Sequence, residues 1–426
     1  MSAPSPRTLF VRMFSSAVVD QAVLSAANLL VGVLLIRRST DLEYGWYVLV
    51  WNALLLLTAL QNAFIGPPMV VRMSQLDAAG RGDLTASLFQ EQRRLYFAVA
   101  AMAAVVIGFG AQAGWMGGNI MWILLAGVVA ALCSLHREML RLVLHAYRRP
   151  EAVLGADIPY VILLISGAAL ATITPMPAAA TVSALGLAAA VGFWLLRRRV
   201  LSSHAWTPGG APGILRSIAP MGLWSASGAG IHWTFGQGYS YLVAGVLSVE
   251  AVAAIAAARL LMMPINLLSS GIRSLMLPLT SGWLHAHGAP TVIRRLTLFA
   301  AGMATISLCY FAVMWLLRDW IFGTVLNKHF DSRDPLLLMW SAIFLLTVIR
   351  DQIVYLLAAR ERFRIMAGLT LGSALLSILI SYWGMLQYGQ VGALLGMLVG
   401  EAVSLTGTIV LIMRESRIRQ ESLATA

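Results

Sequence analysis

Charged residues are scarce in this chain. Only 11% of its 426 residues are Asp, Glu, Lys or Arg, whereas 59% are hydrophobic and the mean hydropathy is +0.80. Soluble globular domains contain about 25% charged residues. The scarcity excludes an ordinary soluble domain, and the long apolar runs predict a polytopic membrane protein.

Lysine and cysteine are nearly absent. Lys328 is the only lysine among 30 basic residues, so the formal net charge of +12 rests on arginine. In a membrane protein such an excess marks cytoplasmic loops rather than a nucleic-acid surface, and we expect no nucleic acid as a partner. Cys133 and Cys309 fall inside apolar runs and predict no disulfide framework.

The sequence also lacks the short motifs of common enzymes. It has no phosphate-binding G-x-x-x-x-G-K-[ST] loop, no G-x-G-x-x-G, no H-E-x-x-H and no G-x-S-x-G. No cluster of Cys and His has metal-ligand spacing. We therefore expect no catalytic residue, no metal and no cofactor, and the outer loops are too short for a catalytic domain.

Twelve apolar stretches reach the length of about 20 residues that a membrane-spanning helix needs. They cover 14–36, 46–68, 95–115, 119–145, 153–173, 177–196, 219–245, 250–284, 296–317, 336–358, 364–386 and 390–413. A Pro- and Gly-rich segment near the midpoint separates six spans from six. The sequence thus predicts an all-α polytopic membrane protein with two pseudo-symmetric six-helix bundles around a central cavity. The bundles would be 1–205 and 219–426, joined by a cytoplasmic linker at 206–218.

Arginine is unevenly distributed, and the two halves of the chain are similar. With the N-terminus inside, the cytoplasmic segments hold twenty arginines and the outer segments five basic residues, which predicts that both termini are cytoplasmic. Segment 40–74 resembles 247–281, and 135–165 resembles 348–378. Parallel repeats of this kind place a transport site between the halves, near the bilayer midplane.

Two arginines lie within the span 250–284, which Pro264 and Pro278 interrupt. On one continuous helix Arg259 and Arg273 would share a face, about 21 Å apart along the axis. Charged side chains are costly in lipid and usually face a cavity or a partner. Because the planar guanidinium group can form two hydrogen bonds to a phosphate or a carboxylate, this arginine ladder predicts a water-filled path for an anion.

Four more basic side chains within the spans are predicted to bind the same substrate. They are Arg137, Arg141, Arg350 and His232. Alternatives remain open for three of them. Arg141 could reach the cytoplasmic surface, Arg350 could pair with Asp157 or Glu138, and His232 could simply pack in the core.

Four acids within the spans are weaker candidates for an ion-coupling site. They are Asp20, Asp157, Asp351 and Glu401. Residues adjacent in a helix do not face each other. Asp351 therefore need not neutralise Arg350, and Glu138 need not neutralise Arg137.

Glycines recur at four-residue spacing in the last two spans, at Gly368 and Gly372 and again at Gly392, Gly396 and Gly400. Small residues at this spacing let helix backbones approach closely, either within one bundle or across a dimer interface. The outer segment 318–335 mixes aromatic and charged residues and predicts a helix lying at the membrane interface.

Several short motifs, spread over nearly the whole chain, resemble those of one transporter family. They are ANL at 27–29, LIRR at 35–38, EYGWY at 43–47, LSVEAV at 247–252, LLMMP at 260–264, LPL at 277–279 and RERF at 360–363. The chain resembles the O-antigen and exopolysaccharide flippases of the multidrug/oligosaccharidyl-lipid/polysaccharide (MOP) exporter superfamily. One departure is that Ala254 and Ala257 stand where an aromatic or glycine-rich pattern often follows the second-half acid.

The resemblance implies a specific function. An undecaprenyl-pyrophosphate-linked sugar repeat unit would move from the cytoplasmic to the outer leaflet of a bacterial inner membrane. It would pass through a V-shaped cavity lined by Arg137, Arg259, Arg273 and Arg350. The implied partners are this lipid-linked oligosaccharide, the bilayer, and a polysaccharide polymerase with other assembly proteins.

Two other functions stay open from the sequence. A MATE-type multidrug antiporter would need unpaired carboxylates and aromatic walls for a cation. A membrane-embedded polysaccharide polymerase would need an outer catalytic surface, which the short loops disfavour.

Overall fold

The computed structural model describes residues 6–203 and 212–424, except for the side chains of 6–14, 17, 203, 270, 271, 273–275, 278 and 415–424. Within these ranges the secondary structure is helical and no strand occurs. The helices are α1 Pro6–Arg38, α2 Asp41–Met73, α3 Ala78–Gln112, α4 Gly118–Ala146, α5 Pro150–Ala171, α6 Pro177–Ser203, α7 Ile214–Gln237, α8 Tyr239–Val246, α9 Val249–Leu260, α10 Met263–Leu316, α11 Arg318–Trp320, α12 Arg333–Ala359 and α13 Phe363–Ala424.

Local polar caps set the start of the long apolar helices. At α2, the Thr40 hydroxyl accepts from the Glu43 amide and the Glu43 carboxylate accepts from the Thr40 amide, both at 3.2 Å. At α3 the Asp77 carboxylate accepts from the Gly80 amide, and at α9 the Ser248 hydroxyl accepts from the Ala251 amide. Such caps satisfy backbone N–H groups that have no partner within the helix.

The predicted fold class, an all-α polytopic membrane protein, is confirmed. In the described ranges nine helices are long and apolar enough to cross a membrane, or ten if the bent pair α9 and the start of α10 is one span. Two helices contain a left-handed glycine that divides them, Gly288 in α10 and Gly389 in α13. Dividing α13 there and adding α7, at 24 residues, brings the number of spans to the predicted twelve.

The chain forms two compact units that divide at Gly230, inside α7. Unit 1 has a core in which α2 and α4 meet, with Met69, Met139, Leu140 and Leu144 fully buried. Unit 2 has a core of α10, α12 and α13 that includes Leu296, Leu356 and Ile412.

Three predicted connections differ from the structure. The predicted spans leave a connection at 69–94, whereas the observed connection is only 74–77. The difference arises because α3 begins after its N-cap, Asp77, with polar turns that hydropathy does not detect as part of a span. The predicted linker at 206–218 lies outside the described residues as far as 211, and α7 already begins at Ile214. The predicted interfacial helix at 318–335 is reduced to α11 and a π-helical turn, Ile321–Val325.

Small residues join the two arms of α13 into a tight hairpin. A Cβ atom on Gly392 would overlap the carbonyl oxygen of Gly384, and one on Gly396 would overlap the backbone of Ser381. The Ser381 hydroxyl donates to the Ala393 carbonyl at 2.7 Å. Gly392 and Gly396 therefore pack helices within unit 2, which is the first of the two interpretations above, whereas a Cβ atom on Gly368 or Gly372 would meet no atom within 4 Å.

Spans seven and eight are broken rather than continuous. Gly238 separates α7 from α8, and Leu261 and Met262 separate α9 from α10 with a bend of 55°. Pro264 follows the second break and cannot donate a backbone hydrogen bond there. The Tyr310 hydroxyl donates to the Leu261 carbonyl at 2.6 Å and satisfies one group that the break exposes.

Candidate functional site: two buried ion clusters and one arginine among neutral groups

Unit 1 contains five charged side chains linked by a series of ion pairs, here called the unit 1 cluster. They are Asp20 of α1, Arg137, Glu138 and Arg141 of α4, and Asp157 of α5. Within it, Arg137 Nη2 lies 2.6 Å from Asp157 Oδ1, and Arg141 Nε lies 2.9 Å from Asp157 Oδ2. Asp157 is fully buried and thus bridges two guanidinium groups away from solvent.

Arg141 completes the cluster by contacting two further acids. Its Nη2 lies 2.7 Å from Asp20 Oδ2, and its Nη1 lies 2.8 Å from Glu138 Oε2. The other carboxylate oxygen of Glu138 accepts from the Asn62 amide at 3.1 Å. Arg141 therefore does not reach a surface, as one interpretation had it. It ties α1 and α5 to α4.

The setting of Arg137 explains why a guanidinium can lie at this position. Its Cδ passes over Gly192 of α6, where an added Cβ would lie 2.9 Å away. Its guanidinium carbon lies 3.7 Å from the centre of the Tyr160 ring, a cation–π contact. Sequence analysis identified neither Gly192 nor Tyr160, because both come from other helices.

The unit 1 cluster carries one more negative than positive formal charge. It has three carboxylates and two guanidinium groups. Asp20 Oδ1 is buried and has no hydrogen-bond partner among the described residues. A buried carboxylate oxygen without a donor costs free energy unless a cation or proton joins it.

Unit 2 contains a smaller group, here called the unit 2 cluster. Arg350 Nη1 lies 2.5 Å from Glu401 Oε2, and its Nη2 lies 2.9 Å from Asp351 Oδ1. Although adjacent residues of a helix do not face each other, Arg350 contacts Asp351, because the long arginine side chain folds back toward its neighbour. Pairing of Arg350 with Asp157 or Glu138 is wrong, since Glu401 of α13 holds it. Arg350, Asp351 and Glu401 together carry one more negative than positive formal charge.

Arg259 stands apart from both clusters. It lies in the last turn of α9, where its Nη1 donates to Gln237 Oε1 and lies 3.5 Å from the Tyr239 hydroxyl. Its guanidinium carbon is 5.3 Å from the ring centre of Trp340, which is buried and donates to the Ile255 carbonyl. Among the described residues, no carboxylate forms an ion pair with Arg259. Its neutral partners were not identified from the sequence.

The predicted ladder of Arg259 and Arg273 on one helix face is not what the backbone forms. The 55° bend at Leu261 and Met262 places the two residues on different helices. The Arg273 side chain lies outside the described part of the structure. His232 lies in α7, five residues before Gln237, and its side chain is exposed.

Comparison with known proteins supports the fold. No family model matches the chain, and no curated protein matches it. Among solved structures, the chain is similar to an inward-facing multidrug resistance MATE transporter of the MOP superfamily, with a TM-score of 0.72 and 13% identity over 94% of this chain and 96% of that one. It is similar to the lipid II flippase MurJ in an inward closed conformation, with a TM-score of 0.73 and 10% identity over 94% and 87%.

A third similar structure is a MOP superfamily transporter from Pyrococcus furiosus Vc1 that is described as having a binding pocket of reversed polarity. The TM-score is 0.66 and the identity 14% over 98% of this chain and 97% of that one. The chain therefore has the fold of polytopic MOP-type transporters. More particularly, it has the architecture common to MATE transporters and the lipid II flippase.

Proposed function

We propose that the chain is a membrane transporter that flips a lipid-linked oligosaccharide pyrophosphate, with Arg259 as the residue that binds the pyrophosphate. The observation that carries this proposal is the setting of Arg259, a permanent cation within an apolar span whose contacts are an amide oxygen, a hydroxyl and aromatic rings. The fold shared with MATE transporters and a lipid flippase supports transport as the general function.

The chemistry of Arg259 favours an anionic substrate. Arginine stays protonated in proteins, and its planar fork matches phosphate oxygens in a bidentate manner. A buried cation without a counter-ion is unfavourable by several kcal/mol in lipid. A pyrophosphate would supply that counter-ion, and the Gln237 amide could donate to a remaining phosphate oxygen. Arg273 and His232 stay proposed as further substrate contacts.

The other predicted arginines are better suited to ion coupling than to substrate binding. Arg137, Arg141 and Arg350 already contact carboxylates at 2.5–2.9 Å. Binding a phosphate there would require those ion pairs to separate. We propose that the clusters bind a proton or a sodium ion through their excess carboxylate, Asp20 in unit 1 and Glu401 or Asp351 in unit 2, with Asp157 as the bridge. Cation binding would bias the conformation of each unit.

The proposed setting is a bacterial inner membrane with both termini in the cytoplasm. The proposed partners are the lipid-linked repeat unit and a downstream polysaccharide polymerase. Cells that lack the chain should keep lipid-linked repeat units on the cytoplasmic face.

A reconstituted assay tests the proposal directly. Proteoliposomes with a fluorescent undecaprenyl-pyrophosphate oligosaccharide should expose it to an external glycosidase at a rate that depends on the protein. Arg259→Gln should lower that rate at least about tenfold, since a charged hydrogen bond contributes about 1.5–3 kcal/mol. Arg198→Gln is the matched control, because Arg198 is an exposed arginine stacked on Trp194. Equal rates for the two variants would reject the role of Arg259.

A second candidate function is a MATE-type antiporter for organic cations. The observation that favours it is the excess negative charge of both clusters. Expression should then confer resistance to cationic drugs, and Asp20→Asn should abolish it. Absence of any effect on cationic-dye efflux, together with flipping in the liposome assay, would leave the first function.

A further inference from the structure

Unit 2 has an apolar groove at its arginine-rich end, here called the basic groove. Leu296 and Thr297 of α10 form one wall, Ile409 and Met413 of α13 form the other, and Ile353 and Leu356 of α12 form the floor. Its volume is about 490 Å³. Met413 is 53% exposed and Ile409 39%, so the groove is open along its length.

The groove lies beside the end of α12, between the arm of α10 that follows Gly288 and the second arm of α13. Its floor belongs to the last two turns of α12, one wall follows the glycine break at Gly288, and the other precedes Arg414 in α13. Arg360 directly follows the end of α12, four residues after Leu356, and Arg414 directly follows Met413. Basic residues are therefore the chain neighbours of the floor and of one wall of the groove.

The charge at this end is strongly positive. The helix ends and the turn that surround the groove carry six described arginines and one described glutamate, Glu361. The arginines are Arg294, Arg295, Arg360, Arg362, Arg364 and Arg414. Arg295 also stacks on Trp283, with 5.0 Å between the guanidinium carbon and the ring centre. Basic pockets between membrane helices bind anionic lipid head groups.

Another apolar groove, in unit 1, has no basic residues in its adjoining segments. Apolar walls and neighbouring arginines therefore do not always occur together in this chain. This neutral groove has a volume of about 570 Å³ and is lined by α4 and α6, with Trp122, Ala126, Val129 and Ser183 among its residues. The segments that adjoin it, 113–122 and 172–183, contain no charged residue. The chain thus provides its own control.

We propose that the basic groove binds an anionic phospholipid of the surrounding membrane, with its phosphate at Arg360 and Arg414 and an acyl chain between α10 and α13. The lining residues span only about 6 Å on each helix, at 1.5 Å per residue. This short length suits the upper part of an acyl chain beneath a head group better than a long isoprenoid tail. The site is separate from Arg259 and does not depend on which substrate is transported.

Native mass spectrometry of the purified full-length protein tests the proposal. Delipidated protein is titrated with phosphatidylglycerol or with phosphatidylcholine of identical acyl chains. The wild type should bind phosphatidylglycerol preferentially. The double variant Arg360→Gln, Arg414→Gln should weaken that binding about 25-fold, at about fivefold for each arginine near the anionic head group. The control pair Arg197→Gln, Arg198→Gln, which removes the same charge from the end of α6, should leave it unchanged.

Filling the grooves provides the second comparison. Thr297→Trp in the basic groove should abolish preferential binding, whereas Ala126→Trp in the neutral groove should not. Equal binding of the two phospholipids, or equal losses for the two arginine pairs, would overturn the proposal. A polyprenyl phosphate that displaces phosphatidylglycerol at equal concentration would assign the groove to an isoprenoid lipid instead. If Thr297→Trp does not fold, the arginine pairs decide the outcome.

Discussion

The two units surround their membrane arginines differently. In unit 1, Arg137 and Arg141 share the fully buried Asp157, and each carboxylate of the cluster contacts a guanidinium group. In unit 2, Arg350 is paired in a similar way, whereas Arg259 rests on Gln237, Tyr239 and Trp340. The role of an arginine within a span can therefore be assigned only once its contacting residues are known. In the proposed function, the ion-paired arginines hold helices together and take part in ion coupling, and Arg259, which lies among neutral groups, binds the anion.

The largest expected effect compares Asp157, which joins two guanidinium groups in the unit 1 cluster, with Asp351, one of the two acids that contact Arg350 in the unit 2 cluster. Asp157→Ala should lower the free energy of unfolding by about 3–5 kcal/mol, because it leaves two buried guanidinium groups without their shared counter-ion. Asp351→Ala should cost about 1 kcal/mol or less, since Asp351 is partly exposed and Arg350 keeps Glu401. Chemical denaturation in detergent micelles measures both. Similar losses would show that the two clusters do not differ in the way described.

The next largest effect distinguishes a glycine of unit 2 that packs against backbone from one that has open space around it. Gly396→Ala should destabilise the protein by about 1–3 kcal/mol, because the added methyl group meets the backbone of the other α13 arm. Gly372→Ala is the matched control within the same helix, where an added Cβ meets nothing within 4 Å. It should instead stabilise the helix by about 0.5–1 kcal/mol. A loss at Gly372 as large as at Gly396 would point to a second interface.

The matching substitution in unit 1 is Gly192→Ala, beneath the Arg137 side chain. Here the methyl group meets a flexible side chain rather than backbone, so we expect a loss of about 1 kcal/mol, at the lower end of the range for overpacking. The same denaturation experiment measures it. A larger loss at Gly192 than at Gly396 would reverse the comparison between the two units.

The smallest expected effect concerns the broken span of unit 2. Tyr310→Phe removes the hydrogen bond to the Leu261 carbonyl and should cost about 0.5–1.5 kcal/mol. Hydrogen exchange should rise around 259–266 and stay unchanged in α4, which has no such break. Exchange that rises equally in both places would mean that Tyr310 stabilises the whole fold rather than the break.

The sequence was sufficient for the fold class and for which spans contain charge, and insufficient for the pairing of those charges. Hydropathy depends on each segment alone, so it predicted α4, α5 and α12 closely. The pairs Arg141–Asp20 and Arg350–Glu401 join residues 121 and 51 positions apart, and nothing local signals them. Only helix packing brings such residues together.

The break at Leu261 and Met262 was missed although its signal was present. Pro264 interrupts the span, whereas the predicted ladder requires Arg259 and Arg273 to share one straight helix. Reading the proline as the first turn of a new helix, where it loses no hydrogen bond, would have divided the span. Gln237 and Trp340 could not have been found in this way, since each becomes a partner of Arg259 only through packing in unit 2.

The most direct test of the central claim is binding of a lipid-linked pyrophosphate to purified protein. Isothermal titration with an undecaprenyl-pyrophosphate oligosaccharide in detergent should give saturable binding to the wild type. Arg259→Gln should weaken it at least about tenfold, while Arg198→Gln binds as the wild type does. Undiminished binding by Arg259→Gln would contradict the account, because it would show that an arginine surrounded by neutral groups is not where the anion is held.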